Sequence, residues 1–122
     1  MAELNFATLF QHETDLMEVP AGQALFKEGD DMNETMYVLV AGTAEIQVRG
    51  KLVETAKAGA LLGEMAMIDQ GARSATVIAK TACKFVVIGR KRFNFLVQQT
   101  PNFALGVMSV IAKRLRRTDS TL

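Results

Sequence analysis

The sequence is poor in the residues that mark secreted, metal-dependent or membrane proteins. One cysteine, Cys83, among 122 residues leaves no partner for an internal disulfide. It reads as a small buried side chain in a reducing compartment. One histidine, His12, lies in the polar stretch QHETD and reads as exposed. A metal site built on a histidine cluster is therefore excluded, as is a cysteine nucleophile activated by a second histidine. The acids of EGDDMNE (28–34) lack the alternating spacing and central glycine of a calcium loop and read as a solvated turn. The start, MAELNFATLF, has an early acid and no basic n-region, which argues against a signal peptide. No apolar run approaches the roughly 20 residues of a membrane span. Neither sign of charge dominates: the formal net charge is +1, so no global field attracts nucleic acid or an anionic membrane. These absences predict a cytoplasmic protein without a membrane span, and they speak against an enzyme.

What is present is core-forming material and turns. Apolar residues make up 49% of the chain, enough for one domain with a real core. Eight of the nine glycines, from Gly22 to Gly89, recur at short intervals between apolar or alternating runs. That rhythm predicts turns between short strands in an all-β barrel or sandwich. MYVLV (36–40), ATVIA (75–79) and FVVIG (85–89) predict strands, and AEIQV-RGK-LVETA (44–56) predicts a hairpin with Gly50 at its tip. The pattern changes near residue 90. KRFNFLVQQ (91–99) predicts a helix, and a second follows Pro101, from Asn102 to Thr118. Its face is Val107, Met108, Ile111 and Leu115. Lys113, Arg114, Arg116 and Arg117 fit the cation preference of a helix carboxyl end. The first dozen residues predict a short helix over about 4–12. The expectation is a β-barrel-like core over about 14–89, with C-terminal helices over about 90–118.

Within this frame LLGEMAMIDQGARSATV (61–77) sets a carboxylate and a guanidinium into an apolar stretch. Gly63 precedes good helix formers, and Asp69-Gln70-Gly71 stops them, which predicts one or two helical turns from Glu64 to Gly71. The first N–H groups of such a turn can face an anion, Gly63 permits close approach, and Arg73 can swing back with a fork that matches phosphate oxygens. Glu64 would repel a phosphate, so it suits a hydroxyl donor beside it, such as that of a ribose. Taken alone, the two residues also fit an acid at a helix start paired with a surface arginine.

Gly63-Glu64-Met65-Ala66, followed at the expected distance by Arg73-Ser74-Ala75, resembles the phosphate-binding cassette of the cyclic nucleotide-binding domain family. That family includes the sensor domains of bacterial catabolite activators and of cyclic AMP-dependent protein kinase regulatory subunits. PAGQALFKEGDDMNETMYVLVAGTAEIQV (20–48) is similar to the family's opening strands, and the tail from Arg90 resembles its B and C helices. The resemblance implies a jelly-roll, or double-stranded β-helix, with a short cassette helix. Arg73 would bind the cyclic phosphate and Glu64 the ribose 2′-hydroxyl. Amides near Gly63 to Ala66, with Ser74 and Ala75, would complete the phosphate cradle. Leu62, Met65 and Val53 would wall the sugar and base, and Thr118 on the C helix would reach the base. Two departures stand out: Leu61-Leu62 precedes Gly63 where phenylalanine is usual, and Asp119 follows Thr118 where the catabolite activators have serine.

The implied function is non-catalytic sensing of a cyclic nucleotide, with no cofactor. Ser74 favours cyclic AMP, and cyclic GMP stays open. The whole C helix, hinged at Gln-Gln-Thr-Pro (98–101), would be the moving part. Its apolar face could cover the ligand or pair with a second copy as a homodimer. The effector protein is not legible, and direct DNA binding is not expected, since no helix-turn-helix segment follows. The chain reads as a stand-alone sensor or an excised domain. The competing readings are a cupin-like enzyme, which the single histidine disfavours, a degenerate domain that only contacts proteins, and a sensor of a cyclic dinucleotide.

Overall fold

The computed structural model describes the backbone from residue 6 to 120 and side chains up to Arg117. The two C-terminal helices and the strand-rich middle are as the sequence predicts. The strands form two antiparallel four-stranded sheets. The first holds β1 (Met17–Val19), β8 (Cys83–Gly89), β3 (Thr35–Ala41) and β6 (Leu61–Leu62), in that order. The second holds β2 (Ala24–Phe26), β7 (Thr76–Ala79), β4 (Ala44–Val48) and β5 (Lys51–Ala56). This is the β-roll that the family resemblance implies, in keeping with the barrel or sandwich expected from the glycine rhythm, and its helices are α1 (Phe6–Leu9), α2 (Arg90–Gln99) and α3 (Pro101–Ser120). α1 is shorter than the predicted 4–12, and Leu4 lies outside the described residues.

The first sheet is a middle layer, which explains why MYVLV and FVVIG read as continuous apolar runs. Strand side chains alternate between faces. Met36, Val38, Val86 and Ile88 point to a core shared with Phe6, Phe10, Phe103 and Val107 of the helices. Leu39, Cys83 and Phe85 point the other way, into a core shared with Ala44, Ile46, Val77 and Ala79 of the second sheet. A sheet buried on both faces has no polar side to alternate with. Even the two-residue strand β6 divides this way, with Leu61 in the helix-side core and Leu62 in the interior of the roll.

The β4–β5 hairpin turns on Arg49 and Gly50, both with positive φ (52° and 77°). That pair is the signature of a two-residue type I′ turn, whose twist matches the strands. The hairpin carries one irregularity that matters below. Lys51 pairs with Val48 and Leu52 with Gln47, but Ile46 then pairs with Glu54, so Val53 is the extra residue of a bulge.

α2 and α3 meet at 116° across Thr100. The junction is well fastened. Thr100 N–H donates to Leu96 O, Phe103 N–H donates to Thr100 O, and the fully buried Phe103 ring meets Phe6 and Phe93 edge-on at 5.9 and 5.8 Å. No single described helix is long and apolar enough to cross a membrane.

Candidate functional site

The predicted helical turns of the cassette shrink to one short 3₁₀ helix, Glu64–Met67. Ile68 leaves helical geometry, and residues 68–72 run as a loop that returns to pair Ala72 with Asp31. The returning strand brings Arg73 back beside Gly63. Backbone bonds from Arg73 N–H to Asp30 O (2.6 Å) and from Gly29 N–H to Arg73 O (2.9 Å) fix its place. The turn at Gly29-Asp30 is thus part of what positions the arginine. Gly63 has φ 73°, and a Cβ added there would stand 2.5 Å from Arg73 Nη1, so any side chain would drive the guanidinium out.

Both predicted charges are buried, and they do not pair with each other. Arg73 is 5% exposed and Glu64 is 4% exposed. The surface-pair reading of the two residues therefore fails. Arg73 Nη2 donates to the carbonyls of Met32 (2.9 Å) and Thr35 (2.8 Å), and the guanidinium stands over the Phe26 ring at 4.2 Å. Its Nε is buried with no hydrogen-bond partner, and among the described residues Arg73 forms no ion pair. Burial pushes its pKa down, against the pull of Tyr37, Asp30, Asp31 and Glu64. An arginine nonetheless stays charged in proteins. A buried, unpaired cation with an unused donor is costly unless something completes it, and an anion would do so.

Glu64 meets Arg114 of α3 instead: Nη1 donates to Oε1 at 2.6 Å. Arg114 also donates from Nε and Nη2 to the two oxygens of Glu54 (3.1 and 3.0 Å) and from Nη2 to Leu61 O (2.8 Å). Arg117 adds a bond to Glu54 Oε1 at 2.8 Å. Burial would raise the Glu54 carboxyl, but the hydrogen bonds and charges of Arg114 and Arg117 outweigh it and leave its pKa lowered. For Arg114, burial lowers and the two carboxylates raise, with a net upward shift. These two arginines are thus more than the helix-end cations that the sequence suggests.

The groups surround a cavity of about 220 Å³. Leu62, Gly63, Glu64, Met65, Arg73, Ser74 and Ala75, all expected site residues, line it. Phe26, Met32, Ile46 and Val77 of the roll line it too, with Ile111, Arg114 and Leu115 of α3. Three expectations need correction or fall away. Ala66 is buried off the lining, and its N–H is spent on Gly63 O at 3.1 Å, so it is not a free cradle donor. Val53 is 44% exposed and off the lining, because the bulge turns it outward. Thr118 lies on α3, but its side chain is outside the described residues. Arg114 escaped the sequence reading, although it shares the helical face of Val107 and Ile111 at spacings of four and three, where a cation is out of place unless a carboxylate awaits it. Among the described residues, no cluster of three His, Cys, Asp or Glu side chains is placed to hold a metal ion.

The fold has clear counterparts. The catabolite activator protein of Thermus thermophilus superposes over 93% of this chain and 60% of its own, with a TM-score of 0.77 at 23% identity. A cyclic AMP-bound protein kinase A regulatory subunit, PfPKA-R, covers 97% of this chain and 44% of its own, with a TM-score of 0.78 at 20% identity. In sequence, the cAMP-activated global transcriptional regulator CRP of Salmonella typhimurium is 30% identical over 116 residues, 90% of this chain. The Pycsar effector protein XpPycTIR of Xanthomonas perforans is 31% identical over 102 residues, 83% of this chain. This chain spans about half the length of the first of these relatives (55%) and a third of the second (33%). The family model for the cyclic nucleotide-binding domain matches residues 16–100. By that match, over most of its length and including the cassette, the chain belongs to the cyclic nucleotide-binding domain family.

Proposed function

We propose that this domain is a non-catalytic sensor of a cyclic mononucleotide, with cyclic AMP preferred and cyclic GMP the nearest alternative. The observation that carries the reading is Arg73: a buried cation on the cavity lining without a counter-ion, its Nε unused, beside a glycine whose missing side chain makes room for the guanidinium. The phosphate would sit there, and a ribose hydroxyl would donate to Glu64. Exposed Ser74 on the lining would add its hydroxyl to the cradle. The name of the Salmonella relative specifies cyclic AMP, which supports that ligand here. A structural neighbour from Xanthomonas campestris is described as responsive to c-di-GMP. The cavity, about 220 Å³, is small beside the roughly 300–1,000 Å³ of typical ligand pockets. That favours one nucleotide over two.

The signal would leave through α3. The whole-helix hinge at 98–101 fits the structure less well than a shorter moving part. Phe103 and Val107 are buried in the helix-side core, whereas Ile111, Arg114 and Leu115 face the cavity. We place the responding segment after Val107. A ligand shifts such an element only through contacts that differ between its positions, and these three side chains supply them. The outer stripe of Leu105, Met108 and Ala112 is exposed, at spacings of three and four, and the half-exposed Leu115, at the cavity's edge, continues it three residues on. That is a coiled-coil seam, and it suits a homodimer through α3. Arg114 and Arg117 are engaged by carboxylates, which disfavours direct DNA binding by this domain.

Calorimetry with cyclic AMP, cyclic GMP and cyclic di-GMP tests the reading. Binding of either mononucleotide, with cyclic di-GMP weaker, is expected. No heat with any of them would leave a protein-contact domain as the better account. Hydrogen exchange tests the output: amides of 108–117 and 63–74 should change on binding, while 36–40 and 101–107 stay constant.

A further inference from the structure

The bulge in β5 has placed a charge where the alternating pattern promised an apolar wall. Continued without the bulge, the pairs Lys51–Val48 and Leu52–Gln47 would set Val53 opposite Ile46, facing the interior. The inserted residue gives that place to Glu54. Directly paired residues share a face, and Ile46 lines the cavity, so Glu54 is aimed toward the same side. There it meets Arg114 fork to fork, Nε to Oε1 and Nη2 to Oε2.

A guanidinium is planar and rigid. Fixing its Nε and Nη2 edge fixes the direction of Nη1, and Nη1 is the atom that meets Glu64 at 2.6 Å. Leu61 O, on the strand leading to Glu64, holds the same Nη2 at 2.8 Å. Glu54 also receives Arg117, one helical turn further on, so it gathers two cations from the end of α3. Side-chain exposure is 48% at the outer end, Arg117, 20% and 24% at Glu54 and Arg114 in the middle, and 5% at the inner end, Glu64. The inner end of this relay is buried against the cavity, while its outer end opens to solvent.

We propose that Glu54, a residue off the cavity lining, is a positioning residue of the site: through Arg114 it orients the Glu64 carboxylate and fastens the end of α3 over the cavity before any ligand arrives. Glu54 touches no ligand in this account. Its effect on selectivity for the sugar hydroxyl rests on Glu64 accepting that hydroxyl, whereas its fastening of α3 does not.

The test compares wild type, Glu54→Gln, Arg114→Gln and the double variant in two assays. In the ligand-free protein, hydrogen exchange of amides 111–117 should speed up in Glu54→Gln, and the double variant should exchange no faster than Arg114→Gln. With ligand, calorimetry should give the ratio of dissociation constants for 2′-deoxy cyclic AMP and cyclic AMP. Glu54→Gln should contract that ratio about threefold or more, the size of one net hydrogen bond. It should do so by weakening cyclic AMP while the deoxy analogue changes little. A merely structural role would weaken both ligands equally and leave the ratio intact, which overturns the proposal. So does unchanged exchange in ligand-free Glu54→Gln. A wild-type ratio near one would instead refute the sugar role of Glu64, and the exchange assay would then decide the fastening role of Glu54 alone.

Discussion

The guanidinium of Arg73 stands 4.2 Å from the centroid of the Phe26 ring, and Tyr37 stands 5.8 Å away on the neighbouring sheet. An aromatic face supports a cation without neutralising it, so the charge stays available to a ligand. Phe26→Leu keeps the bulk and removes that face. It should weaken cyclic AMP about two- to fivefold, the range of a modest cation–π contact. Equal affinities by calorimetry would show the ring to be mere wall.

Arg73→Ala should lower cyclic AMP affinity about tenfold or more, since a hydrogen bond to a charged group is worth roughly 1.5–3 kcal/mol. The structure adds a second effect. Arg73 also serves the carbonyls of Met32 and Thr35, so its loss removes a charged donor from each and should lower the melting midpoint by several degrees. Arg73→Lys should bind poorly too, because one ammonium cannot reach both carbonyls and the phosphate. A folded Arg73→Ala variant with wild-type affinity would remove the residue from the site.

Glu64→Gln replaces an anionic acceptor with an amide. It should narrow the preference for cyclic AMP over its 2′-deoxy form, and it should also loosen the end of α3, because the 2.6 Å bond from Arg114 then goes to a neutral acceptor and loses its charge assistance. Calorimetry reads the first effect and exchange of amides 111–117 reads the second. A preference that survives in full would assign the hydroxyl to another acceptor.

The depressed pKa of Glu54 gives the fastening of α3 a pH signature. A carboxyl whose folded pKa lies below its unfolded value contributes stability above the unfolded value. That contribution is lost as pH falls through the folded one. The melting midpoint of wild type should thus exceed that of Glu54→Gln by a constant margin from pH 7 down to about 5. The margin should then shrink below the ordinary glutamate value of about 4.3. A margin that grew on acidification would contradict the ion pairs with Arg114 and Arg117.

The stripe of Leu105, Met108 and Leu115, each more than half exposed, predicts concentration-dependent dimerisation. Sedimentation should show it for wild type, and Leu105→Glu with Met108→Glu should abolish it. Neither residue lines the cavity, so cyclic AMP affinity should persist in the monomer. A wild type that stays monomeric at high concentration would leave the stripe to some other partner.

Much of this was legible in the residues themselves. The hairpin could be read from its turn dipeptide, and MYVLV and FVVIG from β-branched runs that only a doubly covered sheet requires. Glu64 and Arg73 stood out as charges in an apolar stretch. Arg114 did not, because a cation near a helix end already has a generic explanation, and its carboxylate partners lie 50 and 60 residues away. Val53 and Glu54 exchanged roles through a single inserted residue. Nothing local in LVETA announces a bulge, since what decides it is pairing with the neighbouring strand. The cassette helix stopped four residues before Gly71 because the chain had to turn back and deliver Arg73 to Gly63, a tertiary demand that outweighs helix propensity.

The division of Leu61 and Leu62 between two cores has a mechanical consequence. One residue borders the cavity and its immediate neighbour is seated among the helices, with a single peptide unit between them. That unit is planar and does not stretch. A push on Leu62 from an incoming nucleotide would therefore be felt across the thickness of one strand rather than along the sixty or so residues that separate the cassette from the end of the chain. Leu61 O already holds Arg114 at 2.8 Å, so the same short lever ends on the helix that would carry the message.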